Sequence, residues 1–443
     1  MSTLAFSTST FNITIPVPEG TSDHGDPSIL CTPTNWTSIL SFFIGNYIAH
    51  AATTLSSPGE ELFEYAQTVA MALLFPSAGV ERGLDAIFRC AVSAKSDLMR
   101  AARAGALCTV IRTKEWKSDP TDPLVRRHGQ YLDRVTHKHL PYWRFRDAPC
   151  EWRKIHGVVK TLPPGYKFEV VPRDAVVNPT KNPAGADAQS VVICTSQQTA
   201  KVVVAIWKTL YGAATLYHAR GDQLARYGYA AFALTVTPYT VMSIVNLLGA
   251  LLTPSYPTMY LVRSEVMDEL DRRTSGPEPY FYGTVGFFGT GRRGIGRGGI
   301  ERAQEELGEE EQQAPPSMGW LSLFQLLPNP PINIPVSIPD MPQFYIVLAV
   351  AGGIPLAIIG GLTKFRQGDS TLSQRVWLMM WLALGCVGAI FARLRIDMAQ
   401  YSSKRLLTTV FLFYHVVYAA PAIGGMVVVG KMIKGYGDCI RLD

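Results

Sequence analysis

Charge is what this chain has least of. Only 17% of its 443 residues are Asp, Glu, Lys or Arg, while 47% are hydrophobic; a soluble globular chain averages about 25% charged. The shortage is regional. Charge nearly vanishes from several long stretches and is dense between them, as when lipid is the solvent for part of a chain. The net charge of +6 is spread thinly. Nucleic acid would require a concentrated basic face, so no nucleic-acid partner is expected. The seven cysteines include no CxxC pair and no zinc-type spacing, and an odd number cannot all pair internally. Disulfide pairing and redox compartment therefore stay open at this point. Met1 to Gly20 carries no Lys or Arg and no continuous apolar core, which excludes the cleavable signal-peptide pattern and leaves the first apolar helix as its own insertion signal. GxSxG, HExxH, P-loop and kinase signatures are all absent.

What is present is apolar length. Trp36 to Leu55 has no formal charge, enough to cross an apolar layer of about 30 Å, and Trp36 stands where an interfacial aromatic belongs. Gly228 to Thr253 is the strongest stretch, with Pro238 expected to kink it rather than break it. Phe344 to Leu362, Val376 to Ala392 and Leu406 to Val429 follow, divided by Lys and Arg. The pairs Gly352-Gly353, Gly360-Gly361 and Gly424-Gly425 would allow these helices close approach. Ala66 to Val80, broken by Pro76, and Ala200 to Ala219, with Lys201 and Lys208, could each span, re-enter or lie on the surface. The expectation is an all-α membrane fold: a polytopic bundle of five to seven transmembrane helices with a small mixed polar region.

Either end of that range is odd and puts the termini on opposite sides. No Lys or Arg precedes Trp36, whereas the tail has Lys431, Lys434 and Arg441. The positive-inside rule then makes the N-terminus lumenal or extracellular and the C-terminus cytosolic. The two permitted glycosylation sequons begin at Asn12 and Asn35, both in the Lys/Arg-free segment.

The division expected along the chain is as follows. An N-terminal segment, 1–35, precedes the first helix, 36–55. A basic polar region, 56–198, contains the ambiguous piece 66–80, and membrane helices occupy 199–253. A polar loop, 254–342, includes a Gly/Arg-rich and then acidic linker at 276–316, too poor in apolar area to offset its ordering entropy. Three helices fill 343–430 before a tail at 431–443. Within the polar region, Glu81 to Arg112 reads as a helix on an anionic surface or on its own domain, and Lys154 to Val177 as a small strand-containing element.

Few residues carry chemistry. Gly289 to Gly294 matches GxGxxG but runs into low-complexity sequence, without the strand and helix that would make it a nucleotide fingerprint. Arg220-Gly221-Asp222 reads as a chance adhesion tripeptide. His137 and His139, with His128, Cys150 and His156 nearby, fit no zinc module. Asp268 and Asp271 read as charged neighbours on a solvated helix. No metal centre and no cofactor are expected. The intramembrane polar residues Asn46, His50, Asn246 and His415 stand apart, because polar groups in lipid turn to the bundle interior and often mark a site or pathway. Asn46 and His50, four apart, share one helical face, with Asn246 or His415 as the expected partners. Interhelical hydrogen bonds that only order the bundle would place them equally well.

Several strings resemble an uncharacterised family of multi-pass integral membrane proteins of filamentous fungi. They are Asn46 to Ala51, Pro58-Gly59-Glu60, Ala101 to Leu107, Gly221-Asp222-Gln223, Arg226 to Phe232 and Tyr256-Pro257. The similarity runs from about Cys31 to Glu265. It implies membrane residence and a fungal source, and no mechanism.

Two function classes follow. The first is a non-enzymatic membrane protein, transporter-like, receptor-like or scaffolding, partnered by the bilayer and by other membrane proteins or a lipophilic small molecule. The alternative is a membrane-embedded enzyme acting on a lipid or isoprenoid, with His50 and His415 as its catalytic candidates; the missing signatures favour the first.

Overall fold

The computed structural model of the protein describes residues 17–24, 29–113, 116, 153–173, 175, 177–179, 192–196, 199–219, 222–273, 279–288, 341–398 and 404–441, without the side chains of 222, 341–345, 387–416, 418 and 441. The chain divides into two compact units. A helical unit takes Met1–Ile87, Thr195–Ser255 and Pro342–Asp443; a sheet-bearing unit takes Phe88–Cys194 and Tyr256–Met341.

In chain order, β1 (Ile29–Thr32) leads to α1 (Trp36–Phe43), which runs into a π-helical turn (Ile44–Ile48) and a short last turn (Ala49–Ala51). Next come α2 (Leu62–Leu74) and α3 (Pro76–Arg89). The first excursion into the sheet-bearing unit supplies α4 (Asp97–Ala104), β2 (Leu107–Arg112), β3 (Tyr166–Val170) and β4 (Val177–Pro179). The chain returns for α5 (Thr199–His218), α6 (Asp222–Tyr227) and α7 (Thr237–Leu252). A second excursion supplies β5 (Tyr260–Arg263), α8 (Glu265–Arg273) and β6 (Gly286–Phe288). The chain ends with α9 (Met341–Thr363), α10 (Leu372–Met398), α11 (Lys404–Tyr436) and β7 (Asp438–Arg441).

The sheet-bearing unit is built around β2. Its order is β3-β2-β5-β6-β4, with β2, β5 and β6 mutually parallel and β3 and β4 antiparallel at the two edges. Side chains alternate across the sheet with period two. Leu107, Tyr260 and Val262 therefore join one core with Leu98 and Ala101 of α4, while Cys108, Val110 and Leu261 join another with Met267 and Leu270 of α8. A strand covered on both faces reads as a near-continuous apolar run, and Leu107 to Ile111 is one apart from Thr109, whose hydroxyl donates to the Val262 carbonyl at 3.0 Å. Two local signals deliver it. The Ser96 hydroxyl caps α4 by accepting from the Met99 amide, and Gly105, at φ +74°, ends the helix in the left-handed conformation that glycine tolerates.

The carboxylate of Glu269 is buried beside the rim of that sheet, 1% exposed. Arg112 donates to its Oε2, with Nε at 2.9 Å, and Arg273 Nε lies 3.2 Å from Oε1. Tyr166 donates to Oε1 at 2.7 Å and Trp116 at 3.0 Å. Both guanidinium groups also stack on the Trp116 ring, at 4.2 and 5.2 Å. Burial, and then the bond to Glu269, raises the Tyr166 pKa, so the phenol stays protonated as a donor.

In the helical unit, close packing uses glycine. A Cβ on Gly249 of α7 would meet the Gly83 carbonyl of α3 at 2.8 Å, and one on Gly352 of α9 would meet the Cys386 carbonyl of α10 at 2.7 Å. A Cβ on Gly425 of α11 would meet Trp381 at 2.6 Å. Around Gly353 and Gly361 there is open space.

The expected all-α bundle of five to seven transmembrane helices is not what forms. The fold is mixed α/β, with seven strands in two sheets among the described residues. Among those residues, two helical stretches are long and apolar enough to cross a membrane, Phe232–Leu252 and Ile346–Thr363. The sheet escaped the sequence because its pairs join segments far apart in the chain, up to about 150 residues for Leu107 with Tyr260; local periodicity is blind to such pairing. Other differences are local. Residues 286–288, inside the stretch read as linker, form β6, and 289–316 lie outside the described residues. Pro238 does not kink a continuous span. It stands in the first turn of α7, where its missing N–H leaves no helical bond unmade, after a 3-10 segment, Phe232–Val236. Pro76 likewise opens α3 after a break at Phe75.

The two ends of the chain also meet. β1 pairs antiparallel with β7, Cys31 lies opposite Cys439, and a disulfide joins them. Ser38 donates to the Asp438 carboxylate at 3.0 Å and Thr34 to the Ile433 carbonyl at 3.1 Å. These segments therefore share one end of the unit, which overturns the placement of the N- and C-terminal segments on opposite sides.

Removing Glu269 would leave two guanidinium groups facing each other without their counter-charge. Glu269→Ala should destabilise the protein by about 3–5 kcal/mol, as expected for a broken buried pair. Glu269→Gln, which still accepts from Trp116 and Tyr166, should cost less. Denaturant unfolding followed by tryptophan fluorescence would check the order, and equal losses would show that charge does not matter there.

Candidate functional site: a buried polar group in the helical unit

Three of the four intramembrane candidates have described side chains, and all three are buried: Asn46, His50 and Asn246. His415 lies in α11, and its side chain falls outside the described set. The π-helical turn inserts one residue into the helix that carries Asn46 and His50, so the ordinary four-residue spacing does not describe their relation. Both still point inward.

Their partners are hydroxyl groups. His50 Nδ1 hydrogen-bonds Ser243 Oγ at 2.7 Å. Thr53 donates to the His50 carbonyl at 2.7 Å and lies 3.3 Å from the same serine. Asn46 Oδ1 accepts from Thr215 of α5 at 3.1 Å. Tyr47 and Thr235 hydroxyls meet at 2.5 Å, and the Tyr47 ring sits 4.9 Å from Tyr239 and 5.6 Å edge-on to Trp381. The expected pairing with Asn246 or His415 is not the one formed at Asn46 or His50. Asn246 instead stands one turn beyond Ser243 on α7, its Oδ1 2.7 Å from where a Cβ on Gly83 would lie. Among the described residues, neither amide atom of Asn246 has a hydrogen-bond partner, and the Thr237 hydroxyl and His50 Nε2 are also without one.

The sequence signal for Ser243 was its place three residues before Asn246, on the same face of a helix. A lone serine in an apolar run does not announce itself, because it is tolerated in any helix packed closely on another. A Cβ on Gly212 of α5 would come 3.3 Å from His50 Cε1, so a small residue there makes room for the ring.

A second polar cluster closes the entrance to α2. Glu60 bridges to Arg82 at 3.0 Å and accepts from the Ser57 amide at 2.8 Å and the Thr68 hydroxyl at 3.0 Å. Every acceptor is matched, which makes this a structural tie.

The remaining candidates are placed as follows. Asp268 and Asp271 share Arg263, at 2.6 and 3.5 Å, and form an ion-pair cluster. His156 packs on Tyr260, with ring centroids 5.8 Å apart. His128, His137, His139 and Cys150, the GxGxxG run, Arg220-Gly221 and the sequon at Asn12 lie outside the described residues. Asn35 is exposed just before α1 and makes no capping bond. No family model, curated protein or solved structure matches this chain.

Ser243→Ala should strand the buried imidazole and cost about 1–3 kcal/mol. Combining it with His50→Leu removes both halves of the bond and should recover most of that loss. Thermal unfolding in detergent would read both. A double variant no more stable than the single one would mean the bond is not what holds this site.

Proposed function

We propose that the helical unit is the lipid-embedded part of a membrane-resident, non-catalytic protein. The observation that carries this is an inverted distribution of polarity. On the first helix Leu40, Ile44 and Ile48 are each 47% exposed and Trp36 72%, while Asn46 is 1% and His50 0% exposed. The same pattern recurs at helical spacing on α5 (Val203, Trp207, Leu210), α7 (Ile244, Leu248, Leu251) and α9 (Ile346, Val350, Ile354). A helix in water turns its amide outward and its leucines inward. Apolar surface repeated on four helices is far more than single exposed residues explain, and patches of that kind mark membrane or protein contacts. Lipid satisfies all four stripes at once, and it explains why the polar residues retreat inside.

On this reading both chain ends lie on one face of the membrane, because β1 and β7 pair. The basic tail argues for a cytosolic C-terminus only through a statistical insertion bias. A strand pair closed by a covalent bridge is the stronger constraint. Asn35, exposed three residues after β1, belongs on that same face.

The test is a lipid-tethered carbene probe activated in membranes, after alkaline carbonate has been used to strip peripheral proteins. The protein should stay in the pellet, with adducts at Trp36, Leu40, Ile44, Ile48 and the Val203–Leu210 face, and none at Asn46 or His50. Release by carbonate, or labelling that ignores the stripe, would sink the proposal.

One contact keeps an enzymatic reading alive. Ser243 and His50 form a hydrogen-bonded hydroxyl–imidazole pair, the minimum of an activated nucleophile. Both residues are fully buried, however, and the Ser243 hydroxyl is also shared with Thr53. A fluorophosphonate probe should therefore leave Ser243 unmodified; a phosphonylated Ser243 that is lost in His50→Leu would establish the enzymatic reading instead.

A further inference from the structure

The bridge that joins the chain ends has a third member. The His24 ring nitrogen, Cys31 Sγ and Cys439 Sγ all lie within 4.8 Å of one another, with His24 Nδ1 3.5 Å from Cys31 Sγ. We propose that this trio is a cation site alternative to the disulfide: once reduced, Cys31 and Cys439 bind a thiolate-seeking divalent cation, zinc foremost, with His24 as third ligand.

Geometry supports the ligand set. In tetrahedral zinc sites, bonds of about 2.3 Å to sulfur and about 2.0–2.1 Å to imidazole nitrogen put neighbouring ligand atoms roughly 3.5–3.8 Å apart. The His24–Cys31 separation already equals such an edge. The two sulfurs, from residues directly opposite on paired strands, need only rotate apart once their bond is broken.

The backbone is shaped to hold the trio. Ser22 and Cys31 exchange backbone hydrogen bonds at 2.9 and 2.8 Å, which folds the chain back so that His24 overlies the sulfur. The Ser22 hydroxyl accepts from the His24 amide at 3.1 Å, and the imidazole lies 5.2 Å from the Tyr436 ring. His24 is held at φ +53°, a conformation that costs a non-glycine residue free energy and is retained where its surroundings impose it. On the other strand, Gly437, at φ +87°, would place a Cβ 2.7 Å from the Thr32 carbonyl, so only glycine lets the chain turn from α11 toward Cys439.

The chemistry balances. A dithiol reductant gives two electrons and two protons to the S–S bond and leaves as its own disulfide, and the protein gains two thiols. A divalent cation then displaces both thiol protons, because the thiolate is the ligand. Three protein ligands leave a fourth position for water or a substrate atom. Oxidation of the two thiolates to the disulfide expels the cation, so the two occupancies exclude each other.

The experiment uses the full-length protein in detergent, reduced with a dithiol that is then removed without oxygen, and cadmium as the probe. Reduced wild type should bind one more cadmium per chain than Cys439→Ser, with thiolate-to-cadmium charge-transfer absorbance, and zinc should displace it. Unreduced protein should lack that band. His24→Ala should weaken the extra site about 10–100-fold; His24→Asn, which accepts a positive φ, should weaken it too while leaving thermal unfolding of the oxidised protein unchanged. If reduced wild type and Cys439→Ser bind equally, or if both His24 variants bind as tightly as wild type, the site does not exist.

Discussion

A polar group buried in an apolar interior without a partner costs roughly 2–7 kcal/mol, and the helical unit is arranged around that cost. Four hydroxyl residues, Thr53, Thr215, Thr235 and Ser243, hydrogen-bond Asn46 Oδ1, the Tyr47 hydroxyl, and Nδ1 and the carbonyl of His50. To bring those hydroxyls within reach, α5 and α7 must approach the first helix closely, and glycines stand where they do so. Gly212 faces His50, and Gly83 and Gly249 let α3 meet α7. The outward faces of the same helices are then free to be apolar. Polarity inside and apolarity outside are two consequences of one packing.

The Asn246 amide is one exception. It is buried, has no hydrogen-bond partner among the described residues, and lies where a Cβ on Gly83 would meet it at 2.7 Å. An isosteric leucine would fill the position at no polar cost, so the amide is retained against a penalty. The Thr237 hydroxyl and His50 Nε2 share that condition. All three border α7, the helix whose Ser243 is already engaged. Among the described residues, the unspent hydrogen-bonding capacity of the unit is thus concentrated along one helix and around the centre of its candidate site.

How much of this was legible in the sequence depends on range. Helices show themselves through local periodicity, and helical elements do fall within the apolar stretches read from it, though not as unbroken spans: α1 covers 36–43 of 36–55, α7 covers 237–252 of 228–253, and α9 to α11 cover the last three. Burial of Asn46, His50 and Asn246 followed from the cost of exposing them to lipid. Their partners did not, because a hydroxyl in an apolar helix has no pattern of its own. The sheet was hidden for a different reason. Leu107 to Ile111 is a mostly apolar run that suits a buried strand or a helix equally, and only its distant partners, Tyr166 to Val170 and Tyr260 to Arg263, decide between them. The pairing of Cys31 with Cys439, at a separation of 408 residues, was beyond any spacing rule. The charge bias of the tail pointed the other way.

The sheet also constrains the chain between its two excursions. β2 belongs to the first excursion and β5 to the second, yet they are neighbours in one sheet, as are β4 and β6. Neither excursion can complete the sheet without the other. If the helical unit is embedded in lipid, residues 194 and 256 must therefore face the same aqueous side, and Thr195–Ser255 must cross an even number of times. One candidate span lies in that segment, Phe232–Leu252. A single crossing would tear the sheet between two compartments, so a crossing there requires a second. Among the described residues of the segment, α5 is the other helix of sufficient length, with 20 residues, although it is less apolar than the two candidate spans. Its Val203, Trp207 and Leu210 are exposed in a stripe, and Lys201 and Lys208, the latter donating to the Gly45 carbonyl at 3.4 Å, are each a charge such a crossing would have to carry. A lysine tied to a backbone carbonyl is one accepted way of carrying it. If Phe232–Leu252 crosses, α5 is the described helix of that segment that would have to return the chain; if α5 does not cross, neither does Phe232–Leu252.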